Sequence, residues 1–234
     1  MRRENAAVLI AGGCVLASFL AAEVVSAADQ IQHGQQIEGW GTFIDPARDA
    51  RVTMTGGALN LTVPGLYRDL WPEGLVNSPR ILTPVQGDFS VVVKTAALAP
   101  TELGLAPDRP ATARWPVHGA ELLVWQDEDN FVRFERISSD AGHRWYYHSF
   151  EGGKRVLRLN GDVKPDVPVH LWIARRQRMF HAGYRQGDEA TWTRLEPHRP
   201  ALLDRVQVGV SIVNSTSEPF TAQFEGFRIS AGSP

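Results

Sequence analysis

Two glutamates are the residues of this sequence whose type and spacing best suit joint chemistry. Glu121, in Glu121-Leu122-Leu123-Val124-Trp125, and Glu135, in Phe131-Val132-Arg133-Phe134-Glu135-Arg136, flank the five residues Gln126 to Asn130. If those five form a turn, the two acids fall opposite each other on one side of a hairpin. Paired carboxylates act as acid and base, or as nucleophile and acid/base, in glycoside hydrolysis. Like charges directly across two strands are unfavourable unless they are neutralised or put to use. Arg133 or Arg175 would neutralise them, and a solvated ion-pair cluster on a sheet face is the simpler reading of the possible acidic pair Glu121 and Glu135.

Other constellations are weaker. The seven His show neither H-E-x-x-H nor H-x-H spacing, so no zinc site is assigned, and His148 and His170 read as packed or surface imidazoles. Gly209-Val210-Ser211-Ile212-Val213 begins like a nucleophile elbow but lacks the second glycine and continues an apolar run. Gly152-Gly153-Lys154 lacks the upstream glycine and following hydroxyl of a phosphate loop. Asp127-Glu128-Asp129-Asn130 lacks EF-hand spacing and reads as a polar hairpin tip. No catalytic residue and no metal ligand is assigned.

The elements that carry these residues have period two. Phe89 to Lys94, Glu121 to Trp125, Phe131 to Ile137, Trp145 to Phe150, Val156 to Leu159, His170 to Arg175, Met179 to Tyr184, Val206 to Val213 and Thr221 to Ile229 are short β-branched or aromatic runs. Turn signals separate them. Only Pro200 to Leu203 suggests a short helical turn, so the expected class is all-β, a sandwich or barrel. Leu98 to Pro116, with four prolines, reads as a long loop within one domain.

Three hairpins set the faces. The turn 126–130 pairs Val124 with Val132 and Leu122 with Phe134, giving one apolar face. A five-residue turn, Ser138 to Gly142, then sets Phe134 opposite Tyr146 and Val132 opposite His148. The signal Glu151-Gly152-Gly153-Lys154 predicts a type I′ turn that sets Tyr147 opposite Arg158. The outer face then carries Glu121, Leu123, Trp125, Arg133, Glu135, Trp145, Tyr147 and Arg158. On that register Arg133→Ala is expected to change stability by no more than about 0.5 kcal/mol.

The 234 residues suit one large domain, and 43% hydrophobic with 21% charged residues describes an ordinary soluble core. A net charge of −2 offers no basic footprint for nucleic acid. Residues 1–27 read as a signal peptide: Met1-Arg2-Arg3, an apolar stretch from Ala6 to Ala22, and Val25-Ser26-Ala27 before the cut. The protein is therefore expected to be exported, with no membrane association beyond that signal, and residues 28–234 to form a single domain beginning at Ala28. Cys14, the only cysteine, has Ala11 three residues before it where a lipoprotein signal places Leu. Removal of the signal leaves no cysteine, which excludes disulfides, thiolate metal sites and a Cys nucleophile in the mature chain.

The runs Asn77-Ser78-Pro79-Arg80-Ile81-Leu82, Gly87-Asp88-Phe89 and Trp125 to Arg133, with Phe220, Ala222, Phe224 and Phe227 as a closing strand, resemble an uncharacterised bacterial family of concanavalin A-like jelly rolls, often labelled regulation-of-enolase-like. They are also similar to the sandwich domain that follows the catalytic propeller of some β-xylosidases. The resemblance runs from about Trp40 to Ile229. It implies a two-sheet jelly-roll sandwich with one concave face, and it carries no established activity. Leu98 to Pro116 and Gly187 to Trp192 depart from the family pattern beside that face. Glycosidases on this fold resemble E-x-D-x-x-E, whereas here Arg133 stands where an acid is required. The fold also brings, by analogy, a structural calcium, with Asp45, Asp88 and Glu225 as candidates. No other cofactor is expected.

The leading expectation is a secreted, non-catalytic carbohydrate-binding or adhesion-type module with a polysaccharide or glycan partner. Sugar C–H faces stack on Trp and Tyr while flanking charges hold the hydroxyls. The expected ligand-binding residues are Trp125, Arg133, Glu135, Trp145, Tyr147 and Arg158, with Trp145 and Tyr147 about 7 Å apart along one strand. A glycoside hydrolase or lyase on the same fold is the alternative. An exported sandwich without a small ligand is the second, in which the Pro-rich loop covers Trp145 and Tyr147.

Overall fold

The computed structural model describes residues 30–72, 75–100 and 104–231. Residues 1–27, read from the sequence as a signal peptide, and Cys14 within them lie outside the described residues.

The described residues contain strands and no helix, and Pro200 to Leu203 is irregular chain. An eight-stranded antiparallel sheet runs in the order β1 (Gln36–Ile37), β2 (Gly41–Ile44), β5 (Arg80–Gln86), β14 (Arg205–Asn214), β7 (Val117–Trp125), β8 (Phe131–Ser139), β9 (Gly142–Glu151), β10 (Lys154–Asp162). A seven-stranded sheet runs β13 (Thr193–Arg194), β12 (Met179–Gln186), β11 (Val169–Arg176), β6 (Phe89–Thr95), β15 (Phe220–Ala231), β4 (Ala58–Val63), β3 (Arg51–Thr55). Every one of the nine runs expected from the sequence lies in a strand. The two sheets bury one apolar layer between them: Leu122, Val124, Val132, Phe134, Val208 and Val210 from one, Val91, Val93, Leu171, Ile173, Ala222 and Phe224 from the other. Each large side chain so buried contributes about 1.5–3 kcal/mol. Where β14 lies between β5 and β7, a Cβ on Gly209 would come 1.8 Å from the Ile81 carbonyl oxygen. Gly209 is thus required by strand approach, and Ser211 is a buried strand serine, as the continuing apolar run implied.

Hairpin register decides what faces where. β7 and β8 pair as expected, with Leu122 opposite Phe134, Val124 opposite Val132 and Glu121 opposite Glu135. The next hairpin differs by one residue. Ser139 pairs with Gly142 across a two-residue turn, and Phe134 faces Tyr147 instead of Tyr146. Gly142, at φ 99°, permits this tight return, and the Ser139 hydroxyl accepts the Ala141 N–H. Gly152 and Gly153, at φ 54° and 74°, form the expected turn between β9 and β10. An irregularity between Arg155 and Leu157 then shifts the register, so that Arg158 faces His148 and Leu159 faces Tyr147.

Because side chains alternate along a strand, that single slip moves all of β9 to the other face. Trp145 and Tyr147 point into the sandwich, 7% and 1% exposed, against Phe134, Tyr184 and His198. The inter-sheet core covers them, and the Pro-rich loop is not among these ring contacts. Tyr146 and His148 take the outer positions.

Candidate functional site

The outer face of the eight-stranded sheet has a cover of its own. Residues 64–72 and 75–79 lie across it, tied down by backbone hydrogen bonds in both directions between Arg68 and Asn214 and joined to each other by a bridge between Leu70 and Val76. Leu70, Trp71 and Val76 pack on Leu82, Leu123, Trp125, Phe131 and Phe150, a second, smaller apolar cluster. Outward positions that would be polar in a one-sided sheet are apolar here because a third layer lies over them.

Beside this cluster lies a buried charge network centred on Arg133. Its Nη1 donates to Asp69 Oδ1 at 2.6 Å and to Glu121 Oε1 at 3.2 Å, and its Nε lies 3.3 Å from Glu135 Oε1. His148 Nδ1 is 3.1 Å from the same Glu135 oxygen. Arg133 Nε is farther from that ring nitrogen, at 3.4 Å, so the imidazole proton belongs on Nδ1, directed at the carboxylate. Tyr67 donates its hydroxyl to Asp69 Oδ2 at 3.0 Å, and the Leu70 N–H donates to Asp69 Oδ1 at 2.7 Å. Glu121 Oε2 and His148 Nε2 are buried with no hydrogen-bond partner.

One guanidinium serves three carboxylates, and the two glutamates respond differently. Burial pushes the Glu121 carboxyl up to about 8, against the pull of Arg133 and with the push of Glu135 and Asp69. Glu135 is equally buried, but Arg133 and the His148 hydrogen bond outweigh desolvation and hold it below the usual carboxylate range. Burial would lower Arg133, and the three acids more than reverse that. Burial keeps His148 below its ordinary value, against the pull of Glu135, and so neutral at pH 7. The two glutamates are thus pushed apart, Glu121 toward its protonated form and Glu135 toward its ionised form.

The residues expected to bind ligand have separate fates. Glu121, Arg133, Glu135, Trp125 and Arg158 do lie on the outer face. Trp125 is buried between Phe131, stacked at 5.1 Å, and Arg80, 4.4 Å above its ring. Arg133 and Glu135 are sealed within the network, each 3% exposed. Trp145 and Tyr147 are core residues, so neither ring is open to stack on a sugar. Arg158 alone is exposed, and it lies over Tyr146 at 5.2 Å. Arg175 is not near the acids: it projects from β11 in the other sheet and donates to the Gly87 and Leu203 carbonyls.

The open part of this face is at its edge. A cavity of about 420 Å³ is lined by Tyr67, Asp69, Trp71, Arg114 and Trp115, among others. Trp115 is 65% exposed, the most open of the large apolar side chains described. Asp69 forms part of the wall and, through Arg133, ties it to the buried network. Neither Glu121 nor Glu135 lines this cavity. Sequence reading missed Tyr67, Asp69, Trp71 and Trp115. Their usable signal was an aromatic residue placed before proline in irregular chain, Trp71-Pro72 and Trp115-Pro116.

The calcium candidates do not converge. Asp45 Oδ2 accepts the Ala50 N–H, Asp88 Oδ1 accepts the Gln177 N–H, and Glu225 pairs with Lys94 at 2.9 Å. Among the described residues no three His, Cys, Asp or Glu side chains are grouped to hold a metal ion. Asp45, Asp88 and Glu225 therefore do not form a common site for the calcium that the fold analogy suggested.

Neither known protein families nor curated proteins match the chain in sequence. Solved structures match its fold. A functionally unknown protein from Saccharomyces cerevisiae aligns at TM-score 0.63 and 12% identity, over 83% of this chain and 98% of that one. The GH43 protein BlXynB from Bacillus licheniformis, a K247S mutant, aligns at 0.61 and 15%, over 88% of this chain and 40% of that one. The carbohydrate binding module CBM66 from Bacillus subtilis aligns at 0.50 and 11%, over 84% and 100%. At these identities the likeness is one of fold: an all-β, concanavalin A-like sandwich of a kind shared with carbohydrate-related proteins.

Proposed function

We propose that this protein is an exported, non-catalytic carbohydrate-binding module whose saccharide occupies the cavity between Trp71 and Trp115. The observation that carries this reading is the open Trp115 ring on a cavity whose wall holds Asp69 and Arg114. An indole face takes the apolar C–H side of a pyranose, while a fixed carboxylate and a guanidinium hydrogen-bond its hydroxyls. Asp69 is held by Arg133, Tyr67 and the Leu70 amide, so little ordering remains to be done on binding. The carbohydrate-binding module among the structural neighbours supports the ligand class, and the apparent signal peptide supports export. The narrower family resemblance rests on the motifs at 77–82, 87–89 and 125–133.

A glycan array selects the ligand, and calorimetric titration then compares wild type with Trp115→Ala. Loss of at least about tenfold in affinity with an unchanged thermal melt is expected, because an exposed stacking ring serves affinity more than packing. A variant that binds like wild type overturns the assignment, and an array with no bound glycan leaves the purely structural sandwich.

The alternative, a glycoside hydrolase or lyase on the same fold, draws on the paired carboxylates Glu121 and Glu135, but both are buried and neither lines the cavity, so the geometry lends it no support. Reducing ends released from polysaccharide by wild type and not by Glu135→Gln would establish it. Absence of release removes it.

A further inference from the structure

The seven-stranded sheet carries a different surface on its own outer face. A groove of about 490 Å³ gathers Trp172 and His170 from β11, Arg185 from β12, Trp192, Arg194 from β13, and Lys94, Glu225 and Arg228 from β6 and β15. The two indoles lie 6.0 Å apart and inclined at 53°. Trp172 is fixed by donating Nε1–H to the Ser90 hydroxyl at 2.8 Å.

The charges here are unbalanced. Lys94 and Glu225 neutralise each other at 2.9 Å. Among the described residues no carboxylate lies within ion-pair distance of Arg185, Arg194 or Arg228, and Arg185 Nε is buried without a hydrogen-bond partner. Burial, followed by the field of Arg185, Lys94 and Arg228, holds His170 below its ordinary value against Asp188, which registers the same positive excess. Arg185 lies over Trp192 at 5.3 Å and Arg194 over Trp172 at 5.8 Å. A guanidinium stacked on a ring leaves its in-plane N–H donors pointing outward, in the fork geometry that matches a carboxylate.

We propose that this groove is a second binding site, separate from the cavity at Trp115, for an anionic saccharide chain whose carboxylates pair with Arg185, Arg194 and Arg228 while its sugar rings lie along Trp172 and Trp192. The combination selects a uronic acid polymer over a neutral glycan, because three unneutralised guanidinium groups have no counterpart on a neutral chain. A nucleic acid is the competing polyanion, and a single-stranded oligonucleotide distinguishes it.

Calorimetric titration with polygalacturonate oligomers at low salt, using the full mature chain, tests the site. Wild type binds, and binding weakens as salt rises. Arg185→Gln combined with Arg194→Gln loses at least about tenfold, since each charge-assisted pair is worth more than a neutral hydrogen bond. Trp192→Ala loses a similar factor, whereas Trp115→Ala leaves polygalacturonate binding unchanged, which separates this site from the cavity. Arg194→Gln alone, at an exposed position, serves as the variant least able to disturb folding, and matching thermal melts verify each protein. No binding by wild type, equal binding by the arginine variants, equal affinity for neutral xylan oligomers, or tighter binding of heparin or single-stranded oligo-dT would each overturn the proposal.

Discussion

Glu121 and Glu135 face each other across β7 and β8 and share a single guanidinium, that of Arg133, at 3.2 and 3.3 Å. Asp69 draws on the same cation from the covering segment. With His148 neutral, one positive charge faces three acids, and burial pushes the least exposed of them, Glu121, toward keeping its proton, which relieves part of the excess. Two acids that look equivalent in the sequence therefore do opposite things to stability.

Glu121 should make the protein less stable as pH rises from about 5 to 8. Its folded value lies above its unfolded one, so over that interval the unfolded chain releases a proton that the folded chain retains, at a cost of about 1.4 kcal/mol per pH unit at the steepest. Glu135, held low, acts in the other direction and loses its contribution as pH falls through its folded value. Glu121→Gln, a neutral shape-mimic of the protonated acid, should flatten the alkaline fall and leave the acid limb intact. Urea melts from about pH 3 to pH 8 measure both slopes. Parallel curves for the two proteins would show that Glu121 is ionised in the fold.

Arg133→Ala should cost about 3–5 kcal/mol, because removing one partner of a buried ion pair strands the others. This reverses the near-silent substitution expected from a solvent-facing position. Phe134→Ala, on the inner face, should cost a similar 3–5 kcal/mol through its cavity. Denaturant melts of the two variants should thus be alike, and a loss below about 1 kcal/mol for Arg133→Ala would mean that water reaches the network.

Trp145→Ala should lower stability by about 3–5 kcal/mol and act on binding only through that loss, since its ring packs on Phe134 and Tyr184 between the sheets. Tyr147→Phe should do the reverse. The Tyr147 hydroxyl is buried with no partner, so its removal should leave stability unchanged or raise it by about 1 kcal/mol. Thermal melts decide, and a clearly destabilised Tyr147→Phe would reveal a partner for that hydroxyl, such as a buried water.

These reversals show which parts of the fold the residues specify locally. The hairpin at 126–130 is readable because Leu122, Val124, Val132 and Phe134 are apolar on one parity and the charges fall on the other. In Trp145-Tyr146-Tyr147-His148-Ser149-Phe150 both parities carry rings, so the pattern fits either register. The choice is made at a distance. Outward placement of β9 brings His148 to Glu135, Tyr146 under Arg158 and Phe150 onto Phe131, while inward placement gives Trp145 and Tyr147 to the core. The cavity was less readable still. It depends on Arg68 pairing with Asn214, about 150 residues away, a contact that no local periodicity encodes. The strands from Gln36 to Val63 are short and carry four Thr among their residues, and they too take their identity from their partners.

Arg136 supplies the last test, because it does what an apolar neighbour of Phe134 would be expected to do and does it with a charge. It points inward from β8, fully buried, and donates to the carbonyls of Ala96, Val167, Lys164 and Pro165 at 2.6 to 3.1 Å. One guanidinium thereby joins the chain leaving β6 to the chain entering β11 and closes one end of the sandwich. Burial lowers it to about 10, with Asp166 opposing, so it stays charged at neutral pH. Arg136→Met keeps most of the stem but leaves four carbonyls without their donor, and should cost about 3–5 kcal/mol. Arg136→Lys should recover little of this, since a single ammonium cannot span the planar fork that the four oxygens define. Chemical denaturation of the three proteins gives the comparison. A Met variant as stable as wild type, or a Lys variant that restores stability fully, would show that the four carbonyls find water when Arg136 is removed and that the closure does not depend on it.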